Sequence, residues 1–425
     1  MKLIKNITGN TLFRLSSLNS VSILVRVAGG LLASKMIALF IGPAGMALTG
    51  NLRNFLTLVD SVSTLGLQNG IIKYTAEHEK DRQKLNSTLA TISIAVLAAI
   101  LFISMVLFML AGYISNWVFT SEQDYAWIFR VLALALPLYT ANLVFMAVLN
   151  GLGNYKQVIW LNIWGNIIGV LLSAVLIWQL HISGALLGLI LYPALLFFFS
   201  VYYMHKRFPG FTFFRRSYFD VVLLRNLLSY SLMSLVTVVL STVIFIAIRN
   251  QLSNSYSAAE AGYWEAINRL SSFYLMFATT MLSLYFLPKL SVAGTNADTR
   301  NVFFSYFKIM LPAFATGLLI IFILKAFIIK LLFSVSFLPM EKLFLWQLAG
   351  DFFKVASLIL GYEFFAKKLT KAYIVTEIIS FCVLYISSHF FIQQYGSEGA
   401  VMAHALTYYV YFIMLAVYFK KKIFK

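Results

Sequence analysis

Apolar residues run through this chain in long blocks, not in the alternation of half-buried strands, and short polar or basic segments separate the blocks. A helix that crosses a bilayer needs about 20 predominantly apolar residues. Twelve stretches meet that need: 17–41, 45–69, 86–112, 126–149, 156–179, 183–204, 223–250, 259–286, 303–327, 343–366, 371–393 and 398–419. The apolar piece around Ile328–Leu338 is too short to span and reads as an extension of the ninth stretch or as an interfacial segment. The pattern therefore predicts an all-α, polytopic membrane protein with 12 transmembrane helices. The longest connection, 205–222, is basic and aromatic and contains Pro209-Gly210; it separates a six-helix set at 1–204 from a second at 223–425. Six is even, so the second set re-enters in the orientation of the first, the topology of a parallel repeat about the membrane normal.

Polar positions interrupt the blocks in a regular way. Two apolar helices meet at Gly42-Pro43-Ala44-Gly45, which reads as a tight turn, yet Arg26, Lys35, Arg53 and Asp60 lie inside them. A charge near a bilayer centre costs about 2.5–3.5 kcal/mol even on the mild insertion scale, so these four need a polar interior or a partner. Arg53, Thr57, Asp60 and Thr64 share one face of the second helix at i, i+4, i+7 and i+11. Asn19, Ser22, Arg26, Gly29/Gly30 and Ala33 make a similar stripe on the first. The spacing allows one polar cavity for Arg26, Arg53 and Asp60, or an Arg–Asp pair that only ties the helices. Lys35, nine residues after Arg26, falls on the opposite face of a straight helix and joins that cavity only if Gly29-Gly30 bends it; otherwise it snorkels outward.

Intramembrane charges recur in the second half. Glu265, Asn268/Arg269 and Ser272 share a face of the eighth span, and Gln347, Asp351 and Lys354 a face of the tenth. Glu265 with Arg269, and Asp351 with Lys354, are spaced to pair within one helix or to face a cavity. His404, Thr407/Tyr408 and Tyr411 line a face of the twelfth span, and Asn162, Asn166, Gly169 and Ser173 form an uncharged stripe on the fifth. Such stripes of small polar residues serve as packing faces. Arg249 reads as interfacial at its helix end.

Composition agrees with the pattern. The 425 residues are 61% hydrophobic and 11% charged, against about 25% charged in soluble domains. The formal charge of +18 does not indicate nucleic acid, because Lys and Arg concentrate in alternate loops as the positive-inside rule requires. The N-terminus, the loop with Lys73, Lys80, Arg82 and Lys84, the middle loop, Lys367-Lys368-Lys371 and the C-terminal tail are basic. The opposite segments GYISNWVFTSEQDYAW, QLHISG, NQLSNSYSAAEAG and QQYGSEG carry no Lys or Arg beyond the helix-end Arg249. Both termini are thus predicted to be cytoplasmic. The segment with Lys325, Lys330 and Lys342 departs from the rule. The basic N-terminus leads into a full-length span with no small-residue cleavage site after it, so it reads as an uncleaved first helix. Cys382 is the one cysteine, which rules out an internal disulfide. No HExxH, phosphate-binding lysine loop, dinucleotide fingerprint or Cys/His cluster occurs. No metal site, no catalytic residue and no cofactor is expected, and every loop is too short for a catalytic domain.

The charges of Arg26, Lys35, Arg53 and Asp60 sum to +2, and those of Glu265, Arg269, Asp351 and Lys354 to zero. A cationic cavity in the first half suits an anionic group such as a phosphate or uronate, since Arg and Lys replace the hydration it loses. Three segments carry a resemblance: Phe40-Ile41-Gly42-Pro43-Ala44-Gly45, Lys73-Tyr74-Thr75-Ala76, and WQLAGDFFKV (Trp346 to Val355) followed by Gly361-Tyr362. They resemble the Wzx-type flippases of the multidrug/oligosaccharidyl-lipid/polysaccharide exporter superfamily, with the likeness running to the lipid III flippase branch. The resemblance implies two six-helix lobes in a MATE-like V around a central cavity. It also implies an inner-membrane protein that moves undecaprenyl-pyrophosphate-linked oligosaccharide, such as an O-antigen repeat unit, to the outer leaflet by alternating access. It implies further contacts with membrane lipids and with polysaccharide polymerase and assembly proteins. Arg26, Lys35 and Arg53 coincide with basic positions of that family, and Asp351 and Lys354 with its tenth-helix motif. Arg26, Lys35, Arg53, Arg269 and Lys354 are the candidate substrate contacts. Asp60, Asp351 and Glu265 are the candidates for gating or for coupling to an H+ or Na+ gradient. Glu265 and Arg269 match no family position, so their roles rest on the residues alone. The same charges are compatible with a cation-coupled multidrug exporter, which would favour a carboxylate-dominated aromatic pocket, or with a non-transporting scaffold, which would tolerate their neutralisation.

Overall fold

A computed structural model of the chain describes residues 11–119, 124–207 and 216–424. The basic positions Lys2, Lys5, Arg215 and Lys425, the Pro209-Gly210 pair and part of the segment after Gly112 lie outside the described residues. Those residues form helices and no strand, as expected where hydrocarbon leaves every backbone N–H and C=O to be satisfied within its own segment. In chain order the helices are α1 (Thr11–Phe40), α2 (Gly42–Ser63), α3 (Gln68–His78), α4 (Arg82–Met109), α5 (Ala111–Val118), α6 (Ala126–Gly151) and α7 (Tyr155–Arg207). There follow α8 (Val221–Ser255), α9 (Ala258–Met281), α10 (Leu287–Val292), α11 (Asn296–Ile323), α12 (Lys325–Leu332), α13 (Phe344–Ala366), α14 (Thr370–Tyr418) and α15 (Lys420–Phe424). Among the described residues nine helical stretches have the length and apolarity to cross a membrane. Two of them, 52 and 49 residues long, bend at His181 and Gly396 and so cover two predicted spans each. α2, with Asn51, Arg53, Asn54 and Asp60 within its 22 residues, has span length without comparable apolarity.

Three local departures have clear causes. The turn expected over Gly42–Gly45 shrinks to Ile41-Gly42, where φ of +78° requires glycine. Pro43 then occupies the first turn of α2, where its missing N–H is no loss. The second span ends at Ser63 because Leu65 and Gly66 both take positive φ, and the chain restarts as α3. The piece expected at Ile328–Leu338 is helix to Leu332 followed by a 3-10 segment, Val335–Leu343, that leads into α13.

The chain divides into two compact units, one of Met1–Phe40 with Leu52–Val238 and one of Ile41–Asn51 with Val239–Lys425. In the first, Leu67, Ile71, Leu85, Leu89, Ile92, Val148, Leu152 and Leu227 form a buried apolar cluster. α6 and α3 touch backbone to backbone there: a Cβ on Gly151 would lie 2.7 Å from the Ile72 carbonyl oxygen. Asp81 caps α4 by accepting the backbone N–H of Lys84 and Gln83 at 3.1 Å each, and the Lys84 N–H foremost holds its carboxyl below the usual carboxylate range. Ser87 donates to the Tyr218 carbonyl and Thr91 Oγ1 accepts the Asp220 N–H, which fixes the entry to α8. In the second unit a Cβ on Gly262 of α9 would meet the Pro43 carbonyl oxygen at 1.9 Å, and Gly350 lets α13 close on His404 and Ala405 of α14.

Candidate functional site

The first unit holds an open cavity of about 390 Å³ whose polar lining is Arg26, Asp60, Tyr139, Asn142, Asn150, Asn162 and Tyr192, with apolar walls from residues such as Leu143, Met146 and Leu196 and the exposed Gln68 and Asn69 also lining it. A second recess of about 170 Å³ shares Arg26, Asn162 and Tyr192 with it. The sequence builds this cavity from helix ends and stripes. Near the end of α2, Ser63 Oγ and Thr64 Oγ1 bond back to the Asp60 carbonyl oxygen at 3.3 and 2.6 Å. Thr140 donates to Ser63 at 3.0 Å, tying that end to α6. Asp60 thereby stands beside Tyr139, whose hydroxyl donates to its Oδ2 at 3.0 Å. The other carboxylate oxygen, Oδ1, is buried and takes no hydrogen bond among the described residues. Arg26 reaches the cavity from α1, which packs closely on α7: a Cβ on Gly29 would stand 3.1 Å from the Val170 side chain.

The two readings of Arg26, Arg53 and Asp60 therefore part. Arg26 and Asp60 line the same cavity, whereas Arg53, two turns before Asp60, is half-buried and not part of that lining. α1 runs unbroken through Gly29-Gly30, so Lys35 falls on the face opposite Arg26, half-buried and outside the cavity lining. The stripe on the fifth predicted span has two uses. Asn162 and Asn166 line the recesses, while Gly169 and Ser173 pack on Tyr192 and Gly188.

In the second unit Asp351 and Lys354 of the same helix attract each other, and longer-range partners join them. Glu265 pairs with Arg249, 16 residues before it. Its Oε2 accepts from Arg249 Nη2 at 2.5 Å, and both side chains are buried. Arg249, expected at an interface, is 1% exposed, donates also to Asn51 Oδ1 and lies 5.2 Å from the Trp264 ring. Arg269 is buried with Nη1 3.5 Å from Met46 Sδ. Asp351, at 0% exposure, takes hydrogen bonds on Oδ2 from Ser271 at 2.6 Å and from Tyr274, and faces His404 Nε2 at 3.0 Å with Oδ1. Gln347 Nε2 lies 3.2 Å from the same Oδ2. Lys354 reaches the Tyr408 ring at 4.9 Å. Glu363, wholly buried, meets Lys422 at 2.6 Å, and Glu377 accepts from Tyr411 at 3.0 Å. The described residues hold no group of three His, Cys, Asp or Glu placed for a metal. The sequence reading placed Arg249 at an interface instead of the interior and missed the cavity residues Tyr139, Asn142, Asn150 and Tyr192. Tyr139, Asn142 and Asn150 carry a faint signal, since they fall at i, i+3 and i+11 on one helix face.

Residues 16–293 match the polysaccharide biosynthesis protein family. The chain is 33% identical over 403 residues to the lipid III flippase of Escherichia coli (strain K12), covering 95% of this chain and 96% of that one. It has the same identity and coverage with the lipid III flippase of Shigella flexneri. Among solved structures it is similar to an inward-facing multidrug resistance MATE family transporter of the MOP superfamily, with a TM-score of 0.80 at 12% identity, covering 94% of this chain and 98% of that one. It is also similar to the lipid II flippase MurJ in an inward closed conformation, with a TM-score of 0.73 at 16% identity, covering 96% and 89%. At these identities the structural likeness is one of fold, and it is the two-lobed, all-helical membrane fold that the sequence pattern and resemblance predicted.

Proposed function

Since the chain belongs to the polysaccharide biosynthesis protein family, we propose that it is a multi-pass inner-membrane flippase that moves undecaprenyl-pyrophosphate-linked oligosaccharide from the inner to the outer leaflet. The observation that carries this is one-third identity along nearly the whole chain to proteins named lipid III flippases. The first-unit cavity supports it chemically. Sugar hydroxyls and a pyrophosphate lose strong hydration in hydrocarbon, so they need a polar route, whereas a prenyl chain crosses in lipid at no such cost. Arg26, exposed and at the cavity wall, offers a planar fork of donors to a phosphate oxygen pair. It is the cation we assign to the head group.

Asp60 is the carboxylate we assign to coupling. A carboxylate facing an incoming anion repels it until a proton or a sodium ion neutralises it, and this repulsion links occupancy of the cavity to an ion gradient. Asp351 and Glu265 are already engaged, by Ser271, Tyr274 and His404 and by Arg249. We assign both to holding helices together.

The test is complementation of a strain lacking its own lipid III flippase. The wild-type chain restores surface glycan and clears the lipid-linked precursor. Arg26→Ala, present in the membrane at normal abundance, loses a charge-assisted contact of about 1.5–3 kcal/mol and lets precursor accumulate, with Arg26→Lys in between. Full export by Arg26→Ala would remove the head-group assignment, and failure of the wild type would remove the flippase reading.

A further inference from the structure

The walls of the first-unit cavity are mainly uncharged. Beside Arg26 and Asp60 they present the side-chain amides of Asn142, Asn150 and Asn162, the rings of Tyr139 and Tyr192, and apolar side chains such as Leu143, Met146 and Leu196. This differs from the second unit, where Asp351 is engaged on both oxygens by protein groups. Among the described residues no protein group hydrogen-bonds to the side-chain amides of Asn142, Asn150 or Asn162. Asn142 is only 6% exposed. None of the three amides is among the buried polar atoms that lack a partner, so each opens onto the cavity, where a polar occupant can meet it.

The geometry points to a saccharide subsite: we propose that Asn142, Asn150 and Asn162, with the Tyr139 and Tyr192 rings, hold uncharged sugar units of the transported head group. A primary amide carries two N–H donors beside a carbonyl acceptor, the complement of neighbouring sugar hydroxyls that each donate and accept. Phosphate, which only accepts, makes no use of the carbonyl half; an arginine serves it better. Tyr139, Asn142 and Asn150 follow one face of α6 over 11 residues, about 16 Å of helix axis. That stripe suits an extended chain of rings better than a compact ion. The cavity volume of about 390 Å³ lies near the lower end for small-molecule pockets, so part of an oligosaccharide fits and the remainder extends past the exposed Gln68 and Asn69. The inference rests on the flippase reading only for its choice of ligand.

Saturation-transfer NMR on the full-length protein in lipid nanodiscs tests it, using free glucose, N-acetylglucosamine and the N-acetylglucosamine dimer as probes. These sugars carry neither phosphate nor lipid. At least one is expected to receive saturation from the wild type, and each lost amide should weaken its apparent binding about fivefold, the equivalent of one neutral hydrogen bond. Asn142→Leu probes the buried amide; Asn150→Ala, at a half-buried position near the helix end, serves if Asn142→Leu lowers the melting temperature. Sugars that receive no saturation, or binding untouched by both variants, would overturn the subsite. Complementation run in parallel separates the two claims. Restored glycan export with no amide-dependent sugar contact sinks the subsite alone. Amide-dependent sugar contact without restored export sinks the flippase reading alone.

Discussion

Arg249 and Glu265 lie at 1% and 6% exposure with 2.5 Å between Nη2 and Oε2, so removing either strands the charge of the other in a low-dielectric interior. Breaking such a pair costs about 3–5 kcal/mol, whereas replacing both members by apolar residues of similar volume is often neutral. Glu265→Gln and Arg249→Met are each expected to lower the melting temperature of the detergent-solubilised protein markedly, and the double change Arg249→Met with Glu265→Leu to recover most of the loss. Equal melting of all four proteins would show that the pair contributes nothing to folding. The spacing of Glu265 and Arg269 allowed a pair within one helix or a shared cavity, and gave no sign of the partner that Glu265 has 16 residues away on α8. Helical periodicity ranks partners on one helix and is silent about the helix that packs against it. The same limit hid His404 as the partner of Asp351. Arg26 and Asp60 were legible because each stands out as a charge on its own helix, and Lys35 was decided by the absence of a bend at Gly29-Gly30. Asn142 and Asn150 left only the faint signal of a shared helix face, because an asparagine in an apolar span looks the same whether it packs or lines a cavity.

At the scale of elements, the two longest helices turn in the same way. His181 in α7 has φ of 50° and ψ of −121°, and Gly396 in α14 has φ of 59° and ψ of −134°. Three residues later, Gly184 and Gly399 let the chain cross its own preceding helix: a Cβ there would stand 1.9 Å from the Leu176 carbonyl oxygen and 2.1 Å from that of Phe391. Each bend lies where the sequence pattern placed a break between two spans, so the lengths of the apolar blocks marked these corners well. The conformation at both bends favours glycine, and a side chain held in such a region costs on the order of 1–3 kcal/mol. His181→Gly is therefore expected to raise the melting temperature and Gly396→Ala to lower it. Gly399→Ala should be worse than either, because there the obstacle is backbone that cannot rotate away. A stabilising Gly396→Ala would contradict the bend geometry.

For the whole molecule, orientation follows from where Lys and Arg gather, since the bias of short loops near span ends sets topology and acidic residues contribute little. The loop with Lys73, Lys80, Arg82 and Lys84, the Lys367-Lys368-Lys371 turn and the Lys420-Lys421-Lys422 tail are basic, while QLHISG and QQYGSEG have no cation. The departing segment is bridged in part, Lys325 to Glu341 at 3.2 Å and Lys342 to Glu260 at 3.4 Å. Exposed pairs of this kind are worth about 0–1 kcal/mol, so they do not reverse a bias drawn from three basic segments. The loop charges and the six spans expected in each half together predict that Gln179 and Gln394, exposed beside the two bends, face the same, outer side. Replacing the single, exposed Cys382 by serine permits a direct measurement with a membrane-impermeant maleimide on intact spheroplasts. Gln179→Cys and Gln394→Cys should label without permeabilisation, Lys80→Cys and Lys421→Cys only after it. Labelling of Gln179→Cys and Gln394→Cys from opposite sides would replace the parallel repeat by an inverted one. Labelling of Lys80→Cys and Lys421→Cys from outside, with the other two protected, would turn the molecule over and place the exposed Gln68 and Asn69 on the side to which a flippase delivers its cargo.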